Sequence, residues 1–208
     1  EKCDGLILDE HSIHYGVAKL SHDGENFAYL HNEIIQTEWG SNQSTESFTF
    51  DISPIGDFVV WLANSGETDE NGYDNYYREL WIWNNGSQPE LLFKSHLIGT
   101  LENRSGGWVD ISPDGRYILL HHGFMNDNPH WKNTILDSHS GNVVKEFPCQ
   151  NQVWLEKSNT VVCIRSGTIE FINIDSNTSD SFIDTGLNNV RQIHASPSDN
   201  QLLLLEER

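Results

Sequence analysis

Basic residues are scarce in this sequence: 12 Lys and Arg stand against 31 Asp and Glu over 208 residues, a formal net charge of −19. A surface so negative repels phosphate backbones and anionic lipid, which argues against nucleic-acid and membrane-surface binding. The acids are scattered, so solubility, cationic ligands and basic protein patches are what the charge favours. Cysteine is nearly absent as well, with only Cys3, Cys149 and Cys163 and no Cys-x-x-Cys. That excludes a cysteine-rich zinc site and a disulfide-scaffold fold. Cys163 lies in the apolar run Val161–Ile164 and reads as a buried thiol, while a Cys3–Cys149 bridge is left open. No apolar run approaches the ~20 residues of a membrane span, so membrane insertion is not expected. No segment carries a helical period. Also missing are the Gly-x-Ser-x-Gly elbow, His-Glu-x-x-His and the glycine-rich phosphate loops, and with them the familiar catalytic signatures. The first residue is Glu1 rather than methionine, as in a processed or excised chain.

What the sequence does have is a recurring bend. Trp108-Val109-Asp110-Ile111 enters Ser112-Pro113-Asp114-Gly115 and leaves as Tyr117-Ile118-Leu119-Leu120. An apolar run, a tight reversal and a second apolar run spell a strand, a turn and an antiparallel partner. Pro113 presets one backbone angle, Asp114 bonds its own neighbouring backbone, and Gly115 accepts the positive φ that other residues resist. The bend recurs at Ser21-His22-Asp23-Gly24, Ser53-Pro54-Ile55-Gly56 and Ser196-Pro197-Ser198-Asp199, with a degenerate copy at Leu155-Glu156-Lys157-Ser158. Successive copies stand about 32 to 59 residues apart. A repeat of roughly 40 to 45 residues holding four short strands marks propeller blades. Phe58–Leu62 and Leu202–Leu205 are apolar at every position, as strands covered on both faces are.

Ile111 to Tyr117 resembles the turn motif of the WD40-like repeats of TolB-type β-propellers, and the other copies resemble it in part. The resemblance covers most of the chain and implies an all-β fold, a single propeller domain of four-stranded blades. Its units fall at about 16–44, 45–97, 98–148, 149–187 and 188–208, the last completed by residues 1–15. Five blades result, with Gly5-Leu6-Ile7-Leu8-Asp9 as the strand that closes the ring and removes exposed edges. In the first unit a hairpin of Phe27–Leu30 and Glu33–Trp39 leaves little for a fourth strand. Such propellers serve as peptidase gates, lyases, lectins and docking scaffolds alike, so fold does not decide function. The resemblance also implies a periplasmic or secreted protein.

In the resembled propellers the loops joining second to third strand share one face around the channel mouth. Here the longest and most decorated loops, 64–78 and 122–132, fall at that place. The candidate ligand-binding residues are Asp69, Tyr73, Asp74, Tyr76 and Tyr77 in the first, His122, Asp127, His130 and Trp131 in the second, and His121 at the end of the strand that leads into it. Aromatic platforms beside carboxylates suit sugars, cationic side chains or a peptide. The plainer alternative is that these aromatics pack on one another and cover blade edges. Asp69–Asp74 resembles the start of a calcium loop but lacks the downstream bidentate glutamate; His121 and His122 with His130 are the second metal reading, for a transition metal, and no cofactor is expected. The histidines lack a tight ligand spacing, and no metal site is assigned to them.

Aligning the bends puts Lys19, Asp51, Asp110, Val153 and His194 at equivalent places on the inner strands. Carboxylates there bond the neighbouring strand or line an axial channel, the former being the more ordinary. Taken together, the residues point to a non-catalytic binding or scaffolding module for a protein, peptide or carbohydrate ligand. The alternative is an enzyme or enzyme-associated propeller, carbohydrate-active or peptidase-gating, with its site in the same loops.

Overall fold

The fold is seen in a computed structural model that describes residues 17–31, 34–43, 49–68, 74–97, 107–121, 132–149, 151–165, 167–176, 181–186, 190–196 and 201–206. Its organising element is the bend. At each of five copies the first residue's amide bonds the carbonyl five positions on: Ser21 to Asn26, Ser53 to Phe58, Ser112 to Tyr117, Leu155 to Thr160 and Ser196 to Gln201, at 2.8 to 2.9 Å. In three copies the serine hydroxyl adds a second lock, accepting the amides of Asn26, Phe58 and Tyr117. It donates to Asp23, Asp57 and Asp114 in turn. Gly115 takes φ 77°, the left-handed conformation the turn requires. Leu155 has no hydroxyl, yet the backbone closure survives, which is why the degenerate copy still folds as a bend.

Each bend joins the inner two strands of an antiparallel sheet. The first sheet runs β1 (Val17–Leu20), β2 (Phe27–His31), β3 (Ile34–Thr37) and β4 (Gly40–Gln43). The second runs β5 (Thr49–Ile52), β6 (Phe58–Thr68), β7 (Asp74–Asn84) and β8 (Glu90–Leu97). The third holds β9 (Trp108–Ile111), β10 (Tyr117–His121), β11 (Lys132–Asp137) and β12 (Val143–Pro148). The fourth holds β13 (Asn151–Trp154), β14 (Thr160–Arg165), β15 (Thr168–Asn173) and β16 (Ser181–Asp184). A fifth sheet is the pair β17 (Val190–Ala195) and β18 (Leu202–Glu206). Strands follow one another outward in every sheet, as in propeller blades. The fourth strand missing from the sequence reading of the first unit is β4. It contains no apolar residue and is held to β3 by its backbone.

Four apolar clusters sit between successive sheets, and the second strand of each inner blade feeds two of them. Val59, Trp61 and Ala63 of β6 pack with Ala28 and Ile35 of the first blade, whereas Phe58, Val60 and Leu62 pack with Val109, Ile118 and Leu120 of the third. Leu119 of β10 points the other way, into a cluster with Trp154, Val161 and Cys163. Val162 and Ile164 of β14 then meet Val190 and Ile193 of the fifth sheet. Alternate residues thus serve alternate seams, so these strands are apolar throughout. Burying one such leucine contributes about 1.5–3 kcal/mol.

Two expectations are corrected. Leu202–Leu205 is covered on one face only: Leu202 and Leu204 pack on the fourth blade, while Leu203 and Leu205 are 57% and 42% exposed. Cys163 is not a free thiol. It pairs with Cys149, 14 residues away, and so staples the exit of β12 to β14 across the seam between the third and fourth blades. The N-terminal strand of the sequence reading and Cys3 lie outside the described residues.

Candidate functional site

The face carrying the loops between second and third strands is dominated by the second blade. β5 accompanies β6 only as far as Leu62, yet the β6–β7 ladder continues from Ala63↔Glu79 out to Thr68↔Asp74. β8 follows β7 to Tyr76↔Leu97. A three-stranded arm therefore rises beyond the inner strand, a length no other described blade reaches. Along it Ser65 Oγ donates to Glu79 Oε1 at 2.6 Å, and Trp81 Nε1 donates to Glu79 Oε2 at 3.2 Å. Lys94 pairs with Glu79 at 3.4 Å and lies 4.0 Å from the centre of the Tyr77 ring, a cation–π contact. Trp61 stacks on Trp81 at 6.3 Å beneath it.

Where the second long loop leaves the third blade stands His121, fully buried and stacked on Trp108 at 3.6 Å. Its Nδ1 is 2.7 Å from Asn133 Oδ1, with the Gln152 amide nitrogen 3.2 Å from the same atom. Asn133 in turn donates to the Cys149 carbonyl. Burial pushes His121 down to about 4, opposed by the Asn133 hydrogen bond and assisted by the charge of Arg78. The imidazole is therefore neutral at pH 7. Arg78 is itself buried, and it runs under Gly107, where a Cβ would collide with its guanidinium and with the His121 carbonyl. Glycine is required there by close approach.

The inner strands hold a polar chain across three blades. Lys19 Nζ lies 2.8 Å from Asp51 Oδ1, and Asp51 Oδ2 accepts the Ile111 amide of the next inner strand at 2.7 Å. Asp51 thus does bond its neighbouring strand, the more ordinary of the two roles considered for it. Asp110 beside it is pushed up to about 7, first by burial and then by the Asp51 charge, with Lys19 pulling the other way.

On the opposite, turn face a cavity of about 400 Å³ opens between the bends of the third and fourth blades, lined among others by Asp114, Glu156, Asn159, Asn173 and Asp175. Arg116 bridges Asp114 and Asp175 at 2.6 and 3.0 Å, and the Asn159 amide donates to both carboxylates at 2.8 Å. Against the upward push of burial, hydrogen bonds from Arg116, Asn159 and Ser112 hold Asp114 down at about 2. The cavity wall is thus a satisfied inter-blade brace. Among the described residues no three His, Cys, Asp or Glu side chains are placed to hold a metal ion.

The sequence matches no family model and no curated protein. Solved structures do resemble it. Kuenenia stuttgartiensis hydrazine synthase aligns at TM-score 0.55 and 15% identity, over 91% of this chain and 70% of that one. The β-propeller domain of the Trilobed protease from Pyrococcus furiosus aligns at TM-score 0.53 and 15% identity, over 93% of this chain and 59% of that domain. A putative TolB from Agrobacterium tumefaciens aligns at TM-score 0.49 and 15% identity, over 93% and 70%. The chain folds as a β-propeller. At these identities the likeness carries the fold and nothing about ligand.

Within this propeller the candidate residues divide. Asp69, Tyr73, His122, Asp127, His130 and Trp131 lie outside the described residues, as does most of the calcium-loop stretch 69–74. Asp74 and Tyr76 are placed on β7 of the arm, in register with Thr68 and Gly66. Tyr77 is half-buried under Lys94, and His121 is in the interior. Sequence reasoning missed Arg78, Asn133 and Gln152. Arg78, on the same strand as the candidates and alternating with Tyr77, was the available signal.

Proposed function

We propose that this propeller is a non-catalytic binding module that takes a protein, peptide or carbohydrate ligand on the face bearing the β6–β7 arm. The observation that carries the reading is the arm itself: a ladder extended six residue pairs beyond its inner strand and built around Tyr77, Lys94, Glu79 and Trp81. Strand is a costly way to make a loop unless its rigidity is used, and aromatic rings beside charges suit sugars and peptides. We read the repeats as WD40-like units of the TolB type, on the strength of the bend. The Cys149–Cys163 pair favours an oxidising compartment, periplasmic or extracellular. No helix among the described residues is long and apolar enough to cross a membrane.

The test is to replace Gly66–Tyr76 with Asn-Gly, which leaves the Ser65↔Tyr77 pair to close a two-residue hairpin. Intact and shortened proteins are then compared on glycan and peptide arrays. The reading expects an unchanged melting temperature and at least a ~10-fold loss of affinity, about 1.4 kcal/mol. Equal binding by the shortened protein moves the site elsewhere. Turnover of the bound glycan or peptide contradicts the non-catalytic part.

A further inference from the structure

Each of the four-stranded blades ends in an outer strand whose far edge is unpaired among the described residues, and three of those edges carry protection. β4 is short and holds no apolar residue. The β7–β8 ladder shifts register and β8 holds Lys94; the β11–β12 ladder shifts as well, and β12 holds Lys145 and Pro148. Bulges, lysines and prolines are what keep an open edge from acquiring another strand. β16, Ser181-Phe182-Ile183-Asp184, has none of them. Its register with β15 is unbroken from Phe171↔Ser181 to Thr168↔Asp184, and Phe182 and Ile183 are 60% and 52% exposed.

The hairpin decides which backbone groups face that open edge. Arg165↔Thr168 closes a two-residue turn, so the Thr168 N–H and C=O are committed to β14, and those of the next residue, Ile169, to β16. The Thr185 amide, which bonds the Gly167 carbonyl at 3.2 Å, keeps the same alternation. Ile183 therefore bonds β15, and the N–H and C=O of Phe182 and Asp184 point outward. Side chains sort in the same way: Phe182 and Asp184 share a face with Glu170, and Ile183 shares the other with Ile169. Neither β15 nor β16 carries a basic residue.

We propose that β16 is a docking edge for an extended segment of a partner protein, added antiparallel as a fifth strand and carrying basic and apolar residues in alternation. The basic residues lie opposite Phe182 and Asp184, where the Asp184 and Glu170 carboxylates attract them and the Phe182 ring accepts a cation on its face. The apolar residues lie opposite Ile183. Charge selects this occupant over a second copy of the chain, since two copies at −19 repel and neither β16 edge brings the other a cation. The edge lies on a different blade from the β6–β7 arm, and it does not depend on the arm's role.

The probe is a fluorescent acetyl-Lys-Val-Lys-Val-Lys-Val-Lys amide, titrated with the full chain and read by anisotropy. Saturable one-to-one binding is expected, and the same peptide with Glu for Lys is expected not to bind. Methylating the backbone nitrogens of the lysines, which face β16, should weaken binding at least ~10-fold; methylating those of the valines, which face away, should change it less than ~2-fold. Phe182→Pro removes an outward N–H and leaves the ladder to β15 intact, so a loss of at least ~10-fold at an unchanged melting temperature is expected. Should that variant fail to fold, the methylated peptides decide on the unaltered chain. No saturation by ~1 mM, equal effects of the two methylation patterns, or full binding by folded Phe182→Pro overturns the proposal. So does a chain that is dimeric without peptide and becomes monomeric in Phe182→Pro.

Discussion

β10 and β18 follow the same bend, occupy the same place in their blades and are both apolar along their length, yet their surroundings differ. Ile118, Leu119 and Leu120 of β10 are all fully buried, the first and third in the seam with the second blade and the middle one in the seam with the fourth. On β18 one alternation, Leu202 and Leu204, is partly buried against the fourth blade, and the other is exposed. Among the described residues an apolar run thus has two neighbours in one case and one in the other. The lesson is that a blade's stability resides in its seams, each seam being a nearest-neighbour contact, as in other repeat proteins. The last described wedge has one seam among the described residues, and its strands should open first.

That contrast can be broken by mutation. Leu119→Ala leaves a cavity between two blades and is expected to cost about 2–5 kcal/mol in urea unfolding, whereas Leu203→Ala costs less than about 1 kcal/mol. Equal losses would abolish the distinction. Next in size is the staple. Reducing Cys149–Cys163 opens a loop with a separation of 14 residues, and is expected to lower stability by about 3 kcal/mol, read as a fall in the urea midpoint with reductant. Because both sulfurs sit in the Leu119 cluster, the loss should appear in the third and fourth blades and spare β18.

The smallest effect sharpens the seam between second and third blades. Asp110 has its folded pKa raised from 3.8 to about 7. Above pH 3.8 the unfolded chain ionises this group while the folded chain still holds its proton, so the unfolded state is favoured progressively until pH 7. Stability from this group is therefore full below about pH 4 and lost as pH rises to about 7. Asp110→Asn, which keeps the hydrogen-bonding shape without the charge, is expected to raise stability at pH 8 by at least about 1 kcal/mol and to flatten the slope between pH 4 and 7. An unchanged slope in melting temperature would remove Asp110 from the seam's electrostatics.

The bends were legible in the sequence because their chemistry is local. A serine, an acid and a glycine lock the turn within six residues, and even Leu155 kept the closure since the backbone makes it. The alignment of Lys19, Asp51 and Asp110 followed from the bends, and the structure joins the first two by an ion pair. β4 was not legible, because Gly40-Ser41-Asn42-Gln43 has no apolar alternation to betray a strand. The Cys149–Cys163 pair depends on how the exit of one blade meets the second strand of the next, a tertiary fact that spacing does not encode. His121 was placed at its strand end but taken as a ligand residue, because alternation alone does not say which face is covered there; its register opposite Asn133 and Trp108 puts it inside. Leu203 and Leu205 were misread for the opposite reason. Their composition is that of a two-sided strand, and their exposure reflects a neighbour rather than a residue type.

The central claim, that seams set the stability of each blade, is tested most directly by native-state hydrogen exchange resolved to single strands in low urea. The account predicts that β6, β10 and β14 exchange only through global unfolding, with one shared free energy and denaturant slope, while β18 exchanges at least ~100-fold faster through a smaller opening. Exchange from β10 as fast as from β18, with the same slope, would contradict it.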